Sequence, residues 1–220
     1  MNYDKKNPDY YSNIRLDLVQ FISNESNLKI MEIGAAYGET LFYLKENGIA
    51  SEAVGVDLFE DKINPQNYKP LDNFIFGNIE EIHLEQYVNY FDVIFLPDVL
   101  EHLLEPKNVL NKISQYLKND GKIIISMPNI RHYSAINKIF FKGDFSYEES
   151  GIFDYTHLRF YCRKNIIQLI EQSNYKVIIE QSSIKNYKGK SLTKIFNQIT
   201  FGFFEEFLSY QYFFVATKVK

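Results

Sequence analysis

The sequence predicts an α/β fold built on a doubly wound, mostly parallel sheet, and three observations carry that reading. Short apolar runs ending in small or polar residues alternate with amphipathic stretches along most of the chain. One run, Lys29-Ile-Met-Glu-Ile, passes directly into a turn bounded by Gly34 and Gly38 and then into a helix, Glu39 to Asn47. Another, Glu52-Ala-Val-Gly-Val-Asp57, ends in an acid at the spacing of about twenty residues that places a carboxylate at the ligand crevice of such sheets.

In chain order, apolar positions at Tyr10, Ile14, Leu18, Val19 and Ile22 repeat with a helical period and predict a helix over 9–23. A strand over 28–33 follows, then the glycine turn and the helix that Gly48 stops. After the strand over 52–57, Asn73 to Asn78 reads as a third strand with a small, polar end, and Ile79 to Val88 as a short helix. Phe91 to Leu96 is the fourth strand, Asn108 to Lys118 a helix stopped by Asn119-Asp120-Gly121, and Lys122 to Met127 the fifth strand. Lys164 to Gln172 predicts a helix and Tyr175 to Glu180 a sixth strand. Two stretches do not fit the alternation: 129–160, dense in Tyr, Phe, His and Arg, and 183–206, Lys-rich and then Phe-rich. Both read as insertions into a single domain spanning 1–220.

Composition narrows the function. A net charge of −4 and a pI near 5.6 argue against nucleic acid as the expected partner. The lone cysteine, Cys162, excludes an internal disulfide framework, and no run is long and apolar enough to span a bilayer. With no signal peptide at the start, the expected location is the cytoplasm. The turn lacks the third glycine of a dinucleotide fingerprint, having Ala35, Ala36 and Tyr37 between its two glycines, so a nucleoside without phosphates fits better than a nicotinamide dinucleotide.

Glu32-Ile-Gly-Ala-Ala-Tyr-Gly38, Val56-Asp57, the run Phe91 to Leu103 with its D-V-L-E-H-L, Leu117 to Gly121 and Ser126-Met-Pro-Asn129 together resemble the class I S-adenosylmethionine-dependent methyltransferases. The resemblance implies a Rossmann-like sheet of seven strands with an antiparallel last strand, here Tyr210 to Ala216. It implies S-adenosylmethionine as cofactor, with Glu32 near the methionine ammonium, Gly34, Ala36 and Gly38 in the turn, Asp57 on the ribose, Asn78 and Ile79 beside adenine, and Leu96 to Asp98 on the sulfonium side. Ala36 stands where the family commonly has glycine. Tyr10 to Arg15 and Asp154 to Tyr161 resemble a bacterial subgroup associated with surface-polysaccharide synthesis.

That resemblance sets the expected reaction: in-line transfer of a methyl group to a small hydroxylated acceptor, a sugar or nucleotide-sugar of a surface glycan. His157 and His102 are the candidate catalytic residues, with His132, Tyr133, Tyr155 and Arg159 as candidate acceptor contacts. The alternatives are an N-methyltransferase, a metal-assisted 2′-O-methyltransferase, and a non-catalytic cofactor-binding module. Asp98, Glu101 and His102 fall at i, i+3 and i+4, on one face if the segment is helical, and His157 can add a fourth ligand. Whether they hold a divalent metal is left open by the sequence. Phe201, Phe203, Phe204 and Phe207 either cover the pocket or form a homodimer contact.

Overall fold

The computed structural model describes residues 13–186 and 191–219. Its centre is one seven-stranded sheet, in the order β3-β2-β1-β4-β5-β7-β6. The strands are β1 (Leu28–Ile33), β2 (Ala50–Asp57), β3 (Asn73–Phe76), β4 (Phe91–Pro97), β5 (Leu117–Pro128), β6 (Tyr175–Ser182) and β7 (Gln211–Lys218). Those from β3 to β5 are parallel, while β7 lies antiparallel between β5 and β6. The predicted seven-stranded class is the one observed.

The central strands are apolar on both faces because both faces are covered. Alternate residues divide between two cores. Ile30, Val93, Phe95, Ile124 and Phe213 pack with Leu18 of α1 (Leu16–Val19) and with Leu41 and Leu44 of α2 (Glu39–Glu46). Met31, Ile94, Leu96, Ile123, Ile125 and Phe214 face the other way. They meet Val109, Leu110 and Ile113 of α3 (Pro106–Ile113) and Ile166 and Ile170 of α5 (Arg163–Gln172).

Several boundaries differ from expectation. The first helix is only α1 within the described residues, and Tyr10 lies outside them. No helix forms over 79–88. The ammonium of Lys112 takes the carbonyls of Ile79, Glu80 and Ile82 at 2.9–3.0 Å, and a three-residue 3₁₀ turn at Glu85–Tyr87 follows. Carbonyls drawn to a lysine are lost to an i→i−4 ladder. β5 begins at Leu117, so Asn119-Asp120-Gly121 lies inside a strand rather than ending a helix. The insertion at 129–160 holds α4 (Tyr133–Ile136), which continues as a π-helical turn over Asn137–Phe141. The stretch after β6 is more regular than predicted, with α6 (Ser183–Asn186), α7 (Leu192–Ile199) and α8 (Glu205–Leu208). No helix among the described residues is long and apolar enough to cross a membrane.

Candidate active site

The carboxyl ends of β1, β2 and β4 meet at the turn after β1. Gly34, Ala36 and Gly38 all adopt left-handed backbone, with φ of +77°, +50° and +85°. For Ala36 that conformation costs roughly 1–2 kcal/mol. Its amide offsets the cost by donating to Asp57 Oδ2 at 2.7 Å, while Phe59 N–H donates to Oδ1 at 2.9 Å. Asp57 is thus held rigidly, each oxygen keeping a further lone pair for a ligand. Burial pushes its carboxyl above the usual range, against the pull of those amides. At Gly34 a Cβ would stand 2.8 Å from Val99 Cγ2, so this position has no room for a side chain.

Two adjoining cavities open here. The larger, about 420 Å³, is lined by Gly34, Ala36, Asp57, Leu58, Asn78, Ile79, Asp98, Val99, His102, Leu103 and Leu104, among others. The second, about 320 Å³, shares Gly34, Ala36 and Asp98 and adds Arg15, Asp17, Glu32, Glu39 and Gln211. Glu32 is buried, and its Oε2 has no hydrogen-bond partner among the described residues. Burial raises its carboxyl to about 8 despite the nearby Arg15. A rigid two-oxygen acceptor at Asp57 and an orphaned carboxylate at Glu32 suit a ligand with vicinal hydroxyls at one end and an ammonium at the other. The apolar wall of Leu58, Ile79, Leu103 and Leu104, in the cavity that Glu32 does not line, suits a purine beyond the hydroxyls, on the side away from the ammonium. S-adenosylmethionine has those parts in that order.

Asp98 does something different from what its spacing suggests. With φ of +52°, it turns its carboxylate to Arg15 Nη1 at 2.8 Å, Ser126 Oγ at 2.9 Å and Gln211 Nε2. The segment after it is a 3₁₀ turn, Leu100–His102, not an α-helix, so Asp98 does not share a face with Glu101 and His102. His157 takes its place beside them, its ring centroid 4.7 Å from that of His102 and its Nε2 3.9 Å from Glu101 Oε1. Backbone bonds set this meeting, because Leu158 N–H and Arg159 N–H both donate to the Glu101 carbonyl. Burial, aided by His157, lowers the His102 imidazole to about 4 and keeps it neutral at pH 7; burial and the charge of Asp98 raise the Glu101 carboxyl.

The remaining sequence candidates divide. Gly38 is the N-terminal boundary of α2, donating its amide to Ala35 O. Leu96 is wholly in the core and lines neither cavity, whereas Pro97 after it lines both. His157 is buried and lines neither cavity, which removes the simple picture of an exposed base. His132 caps α4, its Nδ1 2.8 Å from Ser134 Oγ, and packs on Tyr133 and Tyr210. Tyr133 and Tyr155 are exposed. Arg159 donates to the Leu103 and Leu104 carbonyls, bracing the cavity wall rather than waiting for an acceptor. Sequence reasoning missed Arg15 as a site residue, although its segment had been singled out; an arginine ahead of the first strand reveals nothing until Asp98 is seen to turn toward it.

A methyltransferase domain family model matches residues 3–180. The chain belongs to that family. Its fold is that of a solved S-adenosylmethionine-dependent methyltransferase from Archaeoglobus fulgidus, with a TM-score of 0.63 at 20% identity over 96% of this chain and 95% of the other. S-adenosylmethionine is the cofactor. Among curated relatives, a tRNA U34 carboxymethyltransferase from Sulfurimonas denitrificans is 28% identical over 120 residues, 53% of this chain and 40% of the relative. One of the same name from Helicobacter pylori is 29% identical over 134 residues, 55% and 48% of the two chains. The chain spans less than half the length of these relatives. They overturn the expectation of a sugar acceptor and of no nucleic acid partner, since tRNA stands in their names, and they lend the polysaccharide subgroup no support. The net charge misled because it averages over the chain. The insertion at 129–160 carries four Lys or Arg against four Asp or Glu, so it lacks the acidic excess of the whole chain.

Proposed function

We propose that this methyltransferase acts on RNA, with a nucleoside of tRNA as the acceptor. The observation that carries the reading is the shared name of the curated relatives. The acceptor side supports it. Tyr133, Phe140, Phe141, Tyr147 and Tyr155 are exposed on the segment after β5, interleaved in sequence with Lys142 and with Arg131, which also pairs with Glu206. Unstacked bases are held by such aromatic faces, and phosphates by such cations.

In this reading Asp57 accepts from the ribose hydroxyls, Glu32 takes the ammonium, Asn78 and Ile79 border the adenine, and Pro97 with Asp98 forms the wall on the sulfonium side. The cofactor supplies a methyl group already activated by a sulfonium leaving group. The protein's share is to align the acceptor atom behind that carbon and exclude water. A plain methyl donor fits the walls better than a carboxymethyl one. Asp17, Glu32, Glu39 and Asp98 line the second cavity, and the one guanidinium that lines it among the described residues, Arg15, is engaged by Asp17 and Asp98. An added carboxylate would meet acids there.

The test is transfer from methyl-labelled S-adenosylmethionine to bulk tRNA, followed by nucleoside mass analysis. Label in a single nucleoside, one methyl heavier, is the expected result. Cofactor binding with no label in tRNA overturns the acceptor.

A further inference from the structure

We propose that Glu101, His102 and His157 form a binding site for a divalent transition-metal ion. One ligand atom from each lies within 4.8 Å of the others. Glu101 is fully buried, and both its carboxylate oxygens lack a hydrogen-bond partner among the described residues. A carboxylate carried into the interior without donors is costly unless a cation compensates it.

The imidazoles point to which cation. His102 Nδ1 lies 3.1 Å from the Thr156 carbonyl, and His157 Nδ1 lies 2.9 Å from the Ile152 carbonyl. A carbonyl only accepts, so each Nδ1 carries the hydrogen, and in the neutral imidazole Nε2 is the atom that offers a lone pair to a cation. Backbone carbonyls that orient imidazoles in this way are the usual outer support of metal-binding histidines. The result is two imidazoles and a carboxyl converging with no Lys or Arg hydrogen-bonded to them among the described residues.

Two nitrogens and one oxygen suit zinc or a neighbouring first-row ion, and serve magnesium poorly because it prefers oxygen donors. Bonds of about 2.0–2.2 Å place neighbouring ligand atoms roughly 3–3.5 Å apart. His157 Nε2 and Glu101 Oε1, at 3.9 Å, need only a small side-chain rotation to reach that. His102 also lines the main cavity, so an ion held here stands at its edge. The site goes beyond the RNA reading and does not depend on it.

Metal-free full-length protein, titrated calorimetrically with Zn²⁺, Co²⁺ and Mg²⁺, provides the test, with S-adenosylmethionine titrated into the same samples. One zinc or cobalt per chain is expected, cobalt with visible absorption bands of nitrogen coordination, and magnesium at least tenfold weaker. Glu101→Gln, which keeps shape, and His157→Gln should each weaken zinc at least tenfold. Absence of saturable zinc and cobalt binding by the unaltered protein overturns the site, as does zinc affinity in both variants equal to that of the unaltered protein. Zinc binding by a protein that ignores S-adenosylmethionine still establishes the metal site and counts instead against the cofactor assignments.

Discussion

The two sides of the site are built by different means. On the cofactor side, backbone does most of the work: left-handed residues at every second position from Gly34 to Gly38, and amides that fix Asp57. On the acceptor side, side chains dominate, and Tyr133, Tyr147 and Tyr155 stand exposed on a segment with little regular structure. Backbone geometry tolerates little substitution, whereas a side-chain surface can be altered one residue at a time.

Predictions that sharpen this contrast run from severe to slight. Gly34→Val places a branched side chain where a single Cβ already meets Val99, at a φ that valine resists; titration should find no measurable S-adenosylmethionine binding. Retained affinity would show that the turn yields. Asp57→Ala removes both ribose acceptors and should weaken the cofactor about 10–100-fold, against no change if the carboxylate only braces the turn. Tyr133→Ala and Tyr155→Ala should each raise the tRNA Kd about 5–100-fold, by the ~1–3 kcal/mol of a lost base stack, while cofactor affinity stays put. Loss of cofactor binding in either variant would erase the division between the two sides.

A pH effect belongs to Glu32. Its folded carboxyl titrates near 8, well above the ordinary 4.5. The unfolded chain therefore releases its proton first, and the contribution of this group to stability is full below about pH 4.5 and lost as pH rises through about 8. Thermal melts from pH 5 to 8 should fall more steeply for the native protein than for Glu32→Gln. Parallel slopes would mean that Glu32 is already ionised and paired. The smallest effect is expected at Phe201, 98% exposed, where replacement by Ser should change stability by no more than about 0.5 kcal/mol.

The same contrast explains what could be read from the chain. Strand and turn on the cofactor side were legible because glycines and an acid at a fixed offset are local signals, and Asp57, Asn78 and Ile79 line one cavity as expected. The short helix over 79–88 was misread because Lys112, about thirty residues away, claims its carbonyls. Asp98 was misplaced among the metal candidates for a related reason: spacing assumes a helix, and a single left-handed residue redirected its carboxylate. The helices after β6 were missed although Leu192, Ile195, Phe196 and Ile199 repeat with a helical period in α7, because the stretch was read by its composition; its Lys-rich part at 187–190 lies outside the described residues. The expected sugar acceptor had the weakest footing, resting on a resemblance of Tyr10 to Arg15 and Asp154 to Tyr161 to a subgroup that the curated relatives do not support.

The two amides that Leu158 and Arg159 donate to the Glu101 carbonyl have a consequence for descent as well as for shape. They tether the far end of the acceptor segment to the β4 terminus through main-chain atoms, which no point mutation other than to proline removes. Changes to the exposed side chains of 133–145 therefore leave this tether, and the Ile152 carbonyl that orients His157, in place. A lineage can in this way exchange one acceptor for another while inheriting the rest of the machinery intact.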